Sequence, residues 1–190
     1  MKRYQWTIIG ILAILLITGG IELYMGRLPF GPDGRFGWWE PSVWSSENSQ
    51  RVTDAYTFSH LIHGMLFYAF LWLVARKMPL RYRLLIAMLM EAGWEILENS
   101  PIIINRYREV TISLGYVGDS VLNSLSDIIM VAIGFVFSWR APVWASVLAI
   151  IAMEIGTLLW VRDNLALNVI MLAHPIDAIR LWQMGGAPAP

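Results

Sequence analysis

The chain has 190 residues, of which 57% are hydrophobic and only 15% charged; 14 basic residues balance 14 acidic ones, and cysteine is absent. With its apolar residues in runs rather than periodic stripes, this composition describes a single integral membrane domain over 1–190. It excludes disulfides, thiolate metal sites and cysteine nucleophiles, and it offers no electrostatic footprint for nucleic acid.

Lys2 and Arg3 precede the first apolar run, 6–24. No small-x-small cleavage site follows it, so it reads as an uncleaved span rather than a secretory signal. Residues 26–54 form the longest connection, an outer loop carrying Trp38, Trp39 and Trp44. Tryptophan favours the headgroup region, so this loop is expected to lie on the membrane surface, as an anchor or a lid. The second run, 56–74, opens with His60 and His63, whose spacing of three puts both imidazoles on one helix face, where they could share a metal ion or hydrogen-bond neighbouring carboxylates.

Arg76, Lys77, Arg81 and Arg83 crowd the next connection. The third run, 84–97, is short and ends in acids: Glu91, Glu95 and Glu98 form one stripe, which Asn99 extends. Carboxylates on one face repel unless a cation, an arginine or a shared proton intervenes. Arg106-Tyr107-Arg108 lies in the following outer loop, where two planar guanidinium groups could grip a phosphate or a carboxylate, or merely neutralise Glu98 or Asp119. The fourth run, 121–137, is preceded by Asp119 and Ser120, one of which should cap it, and it carries Asn123 and Asp127 on one stripe. Asp127 lies too deep for capping and needs a partner.

Arg140 sits in the tight turn before the fifth run, 143–161, which holds Glu154 in mid-span; Arg162, Asp163 and Asn164 follow it. Gly134 and Gly156 read as close helix contacts. The segment 162–183 is too short and too polar to cross, and reads as a C-terminal interfacial or re-entrant helix. The expected fold is therefore all-α, a polytopic membrane helical bundle with about five transmembrane helices plus that terminal helix.

Lys2, Arg3, Arg76, Lys77, Arg81, Arg83 and Arg140 place 7 of the 14 basic residues and no acid in the segments on one side. Positive residues in short loops mark the cytoplasmic side, so the N-terminus is expected in the cytoplasm of a bacterial inner membrane, with the polar residues facing outward. Those residues sit at alternate ends of successive spans and should gather on one side of the bilayer. Intramembrane ionisable groups are costly, and a cluster of them is a functional site by default.

Ser46-Glu47-Asn48-Ser49-Gln50, Tyr56-Thr57-Phe58-Ser59-His60-x-x-His63-Gly64, Trp94-Glu95-Ile96-Leu97-Glu98-Asn99-Ser100-Pro101, Arg106-Tyr107-Arg108, Gly118-Asp119-Ser120-x-x-Asn123-Ser124-x-x-Asp127 and Arg162-Asp163-Asn164-x-x-x-Asn168 follow one another in that order. The series resembles a bacterial inner-membrane family catalogued as a domain of unknown function. That family's Cys-x-Cys-Gly element after the first span is replaced here by Phe30-Gly31-Pro32-Asp33-Gly34. A fainter similarity is to VanZ-like membrane proteins, which implies an outward role connected with the cell envelope.

These residues carry three expectations. The first is a small membrane-embedded enzyme, a hydrolase or transferase acting on a lipid or envelope-precursor headgroup. In it His60, His63, Glu95, Glu98 and Asp127 hold a divalent metal or share protons, while Arg106, Arg108, Asn99, Asn123, Asp119 and Arg162 bind an anionic headgroup. Ligands of nitrogen and oxygen without sulfur suit Mg, Mn, Zn or non-haem iron. The alternative is a non-catalytic scaffold or accessory subunit whose polar residues form a satisfied ion-pair network. The third is a proton-coupled carrier.

Overall fold

Apolar runs fold here into helices, several of which start at a proline, serine or asparagine. The computed structural model describes residues 2–113 and 115–186; the side chains of Lys2 and Arg3, on which part of the orientation argument rests, lie outside the described set. Among the described residues there are eight helices: α1 Lys2–Tyr24, α2 Thr57–Val74, α3 Leu80–Glu98, α4 Pro101–Val110, α5 Val121–Arg140, α6 Val143–Val161, α7 Leu165–Ala173 and α8 Asp177–Met184. Four of them, α1, α2, α5 and α6, are long and apolar enough to cross a bilayer, which makes this a multi-pass membrane protein.

The helix starts follow local chemistry. Pro79 and Pro142 stand immediately before α3 and α6, and Pro101 opens α4, where its missing N–H costs nothing. Of the two expected caps for α5, Ser120 serves: its Oγ accepts from the Asn123 amide at 3.2 Å. Asn164 caps α7 by accepting from the Leu167 amide at 2.8 Å. Arg162 ends α6 in the left-handed conformation (φ 57°), which turns the chain back on itself without a glycine.

Helix α5 is the hub. Its apolar window is 56% buried, against 6% for that of α6, which is left almost wholly exposed. The broadest helix pairing is between α2 and α5. It is built on two glycines: a Cβ at Gly64 would collide with the Val131 carbonyl, and one at Gly134 with the Leu61 carbonyl. The Gly134 expectation is met. Gly156 differs, because nothing lies within 4 Å of the position its Cβ would take. Helix α3 closes both core clusters. Met88 and Ala92 meet Ile14 and Ile128, while Ala87 meets Leu71, Val131 and Phe135.

The structure corrects three sequence expectations. Helix α3 begins at Leu80, four residues earlier than the apolar run, so that Arg81 and Arg83 lie on the helix. Residues 101–110, read as loop, form α4, because Ile102, Ile103 and Ile104 after Pro101 supply a first turn that a charge-based reading of Arg106-Tyr107-Arg108 overlooks. The segment 162–183 is two short helices rather than one, separated where Pro175 removes a backbone donor.

The long loop is tied to the helices rather than free. Ser120 donates its amide to the Ser49 carbonyl at 3.0 Å and its hydroxyl to the Gln50 carbonyl at 3.1 Å. Gln50 Nε2 reaches the Gly118 carbonyl at 2.8 Å, and Asn123 Nδ2 the Arg51 carbonyl at 2.9 Å. Further out, Trp39 stacks on Trp160 of α6, with ring centroids 5.5 Å apart.

Candidate functional site

His60 and His63 on α2, Glu91 and Glu95 on α3, and Asp127 on α5 meet in one buried cluster. His60 Nδ1 lies 2.5 Å from Glu91 Oε1, and His63 Nδ1 lies 3.1 Å and 3.2 Å from the two oxygens of the same carboxylate. The other His60 nitrogen, Nε2, faces Asp127 Oδ2 at 3.7 Å, and Nδ1 is also 3.6 Å from Glu95 Oε1. His60 thus sits between three carboxylates drawn from two helices. Glu91 and Glu95 are wholly buried, and His60 and Asp127 nearly so.

Pairing in the cluster is incomplete. Neither oxygen of Glu95, nor Oδ1 of Asp127, makes a hydrogen bond; His60 approaches Glu95 Oε1 and Asp127 Oδ2 only at ion-pair distance. Buried carboxylate oxygens without donors are costly, so such a group is either neutralised by a proton or facing a cation. Two sets could hold an ion, His60 with His63 and Glu91, and His60 with Glu95 and Asp127; in each, one ligand atom per residue lies within 4.8 Å of the others. The network can coordinate a divalent metal, and its imidazole and carboxylate donors fit the hard or borderline ions expected of a sulfur-free site.

Two entries in the expected ligand set change. Glu91, recognised as part of the acidic stripe but left out of the proposed ligands, is the carboxylate on which both histidines converge. Glu98 stands seven residues further along α3, about 10 Å at 1.5 Å per residue, and belongs to neither ligand set. It is half-buried and faces Tyr107 instead.

A cavity of about 320 Å³ adjoins the cluster and is lined by His60, His63, Glu91 and Asp127 together with Glu98, Asp119 and Asn123. Trp94, Tyr56, Tyr107 and Tyr116 add aromatic walls, loop residues Asn48 and Ser49 contribute polar atoms, and Leu165, Val169 and Leu172 form an apolar wall on α7. Tyr56 and Tyr107 fall inside sequence motifs and Tyr116 in none, and nothing in the sequence signals their common cavity. Burial raises their hydroxyls well above 10, so they remain donors.

The arginines do not line the cavity, contrary to the headgroup-gripping role expected of them. Arg106 donates from Nε and Nη2 to the Leu172 carbonyl at 3.0 Å and 2.9 Å, Arg108 Nε to the Tyr116 carbonyl at 2.5 Å, and Arg162 Nη1 to the Trp182 carbonyl at 3.0 Å. Their guanidinium groups satisfy carbonyls at helix ends and turns, which compete for the same donors a ligand would use. Asn99 is likewise structural: it accepts from the Asp119 amide at 2.7 Å and donates to Ser124 Oγ at 3.1 Å, bracketing α3 to α5.

Asp119 accepts from the Tyr116 hydroxyl at 2.9 Å, and burial lifts its carboxyl to about 6. Asp163 accepts from the Tyr56 hydroxyl, Asn168, Gln183 and the Asn164 amide at 2.9–3.1 Å, yet burial outweighs these donors and places it at about 6 too. Glu154 is no part of the cluster. Its oxygens accept from the Leu165 and Ala166 amides at 3.0 Å and 3.1 Å, satisfying free N–H groups at the N-terminus of α7. Sequence reasoning passed over Glu22, which is fully buried on α1 near Ser124, Asp119 and Arg27 with no hydrogen bond to either oxygen.

Residues 22–185 match the family described as protein of unknown function (DUF2585), and the chain belongs to that family. It is 51% identical to a UPF0314 protein of Agrobacterium fabrum over 183 residues, covering 96% of this chain and 91% of the relative. A UPF0314 protein of Paracoccus denitrificans is 54% identical over 161 residues, 85% of this chain and 83% of that one. A third, from Rhizobium johnstonii, is 46% identical over 185 residues, covering 97% and 95% respectively. No solved structure matches the chain.

Proposed function

We propose that this protein is a membrane-embedded metal-binding protein in which a divalent cation completes the buried ion-pair network joining α2, α3 and α5. One observation carries the reading: Glu95 is wholly buried, neither of its oxygens is hydrogen-bonded, and it lies with His60 and Asp127 inside the reach of one ion. In this reading α3 is a fifth span, its acidic face shielded by α2 and α5. Helices α7 and α8 lie at the interface, and the cluster faces the periplasmic side. Arginine–aromatic stacks at the opposite helix ends support that polarity: Arg76 on Trp72, Arg81 on Tyr82 and Arg140 on Trp139 form a basic, aromatic belt of the kind found at a cytoplasmic headgroup layer.

Metal content is the direct test. Protein purified in maltoside detergent without added metal should carry about one divalent ion per chain by mass spectrometry, and both His60→Gln and Glu95→Gln should lose most of it. The ion-pair scaffold makes the opposite prediction for stability. Without a cation, Glu95→Gln removes an unpaired buried carboxylate and should raise the melting temperature; with one, it removes a ligand and should lower it. Metal-free protein whose melting is indifferent to Mg, Mn and Zn would leave the scaffold as the function.

The cavity favours a second, catalytic reading. It brings His63 and Asp127 to the same open volume in which a headgroup would sit. A bound divalent ion would supply Lewis acidity toward an ester of a lipid or envelope precursor. His63, held through Nδ1 by Glu91, would be the base that takes a proton from the attacking group, and Ser49 and Asn123 would orient the substrate. Loss of turnover in His63→Ala with metal content retained is the expected signature.

A further inference from the structure

The cavity also carries a recognition chemistry that the metal cluster does not use. Its walls bear four carboxylates, Glu91, Glu98, Asp119 and Asp127, against two imidazoles, and no arginine or lysine lines it among the described residues. Asp127 is 3% exposed and its Oδ1 has no hydrogen-bond partner. Around Glu98 and Asp119 stand aromatic rings: Tyr107 and Tyr116 meet edge to face with centroids 5.3 Å apart, and Trp94 lines the same space. An anion entering here would meet carboxyl oxygens with no guanidinium to receive it. A cation would meet both carboxylates and ring faces.

We infer that the cavity binds an organic ammonium group, held between Glu98, Asp119 and the faces of Trp94, Tyr107 and Tyr116, with any attached apolar chain lying along Leu165, Val169 and Leu172 of α7. The inference rests on the cavity of the proposed function as a ligand site, and not on its metal. It replaces the anionic headgroup expected from Arg106 and Arg108, both of which end on carbonyls.

Calorimetric titration of the full chain in maltoside, corrected with protein-free micelles, tests it with four probes. Tetramethylammonium and ethanolamine stand for free amines, octyltrimethylammonium for a lipid-like amine, and octyl sulfate for an anionic amphiphile of the same chain length. The ammonium amphiphile should bind about ten-fold or more tightly than the sulfate. Free amines binding as tightly as the octyl compound would assign a water-soluble amine; a clear advantage for the octyl compound would assign a lipid. Glu98→Gln and Trp94→Leu should each weaken ammonium binding about ten-fold while leaving metal content unchanged. Equal binding of the two octyl probes, no ammonium binding, or indifference to both substitutions would overturn the inference. The preference of the unsubstituted protein needs no variant to fold. Ammonium binding by a metal-free chain would sink the metal reading alone, and a metal-loaded chain that ignores ammonium would sink this one alone.

Discussion

Glu91 and Glu95 are one helical turn apart on the same stripe, yet their environments differ sharply. Glu91 is gripped by two imidazoles, whereas neither oxygen of Glu95 accepts a hydrogen bond. Spacing made both legible as members of an acidic face, but no property of the letters could tell the satisfied carboxylate from the unsatisfied one. Asp163 makes the same point outside the spans and yields a pH prediction. Burial lifts its carboxyl from 3.8 to about 6, so the folded chain holds that proton more tightly than the unfolded chain does. Stability from this group is therefore greatest below about pH 4, declines as pH rises toward 6 and is level above it, a change of roughly 1–3 kcal/mol. Melting curves at pH 4.5 and 7.5 should show that decline in the parent chain and a flatter profile in Asp163→Asn. An unchanged difference between the two pH values would remove Asp163 as its source.

Among the elements, the α2–α5 pair sets the geometry of the site, because His60 and His63 come from one and Asp127 from the other. Its closeness depends on backbone meeting backbone at Gly64 and Gly134. Gly64→Ala and Gly134→Ala should each destabilise by about 1–3 kcal/mol, since neither carbonyl opposite can move without displacing a helix. Gly156→Ala on the exposed α6 should be neutral or slightly stabilising, by up to about 1 kcal/mol, through helix propensity alone. Detergent-solubilised thermal melts of the three variants check both directions, and a large loss at Gly156 would reveal a packing partner outside this chain. Gly134 could be read as a packing glycine from its apolar run. Gly64 was legible only as a neighbour of His63, because its role depends on which helix crosses there.

At the scale of the whole molecule, the two ends of the bundle differ: arginine–aromatic stacks at one, the histidine–carboxylate cluster and its cavity at the other. The absence of cysteine makes the polarity simple to measure, since single cysteines need no background removed. Ser46→Cys, exposed in the long loop, should react with an impermeant maleimide added outside intact spheroplasts, and Lys77→Cys, exposed in the basic turn, should react only after permeabilisation. The reverse pattern would turn the cavity toward the cytoplasm and with it every proposal about an outer-leaflet substrate.

Helix class, four of the five membrane runs, the polar character of one end and the capping of α5 were determined by the sequence alone, because they depend on local hydrophobic length, on proline and serine at helix starts, and on spacings within a single helix. Helix α4, the break between α7 and α8, and the diversion of Arg106, Arg108 and Arg162 to backbone carbonyls were decided by tertiary structure. So were the convergence of two histidines on Glu91 and the lack of any hydrogen bond at Glu95. The physical reason is that a buried polar atom takes its meaning from the atoms opposite it. In the histidine–carboxylate cluster those atoms come from residues 28 to 67 positions away, in helices whose crossings are set by close backbone contact.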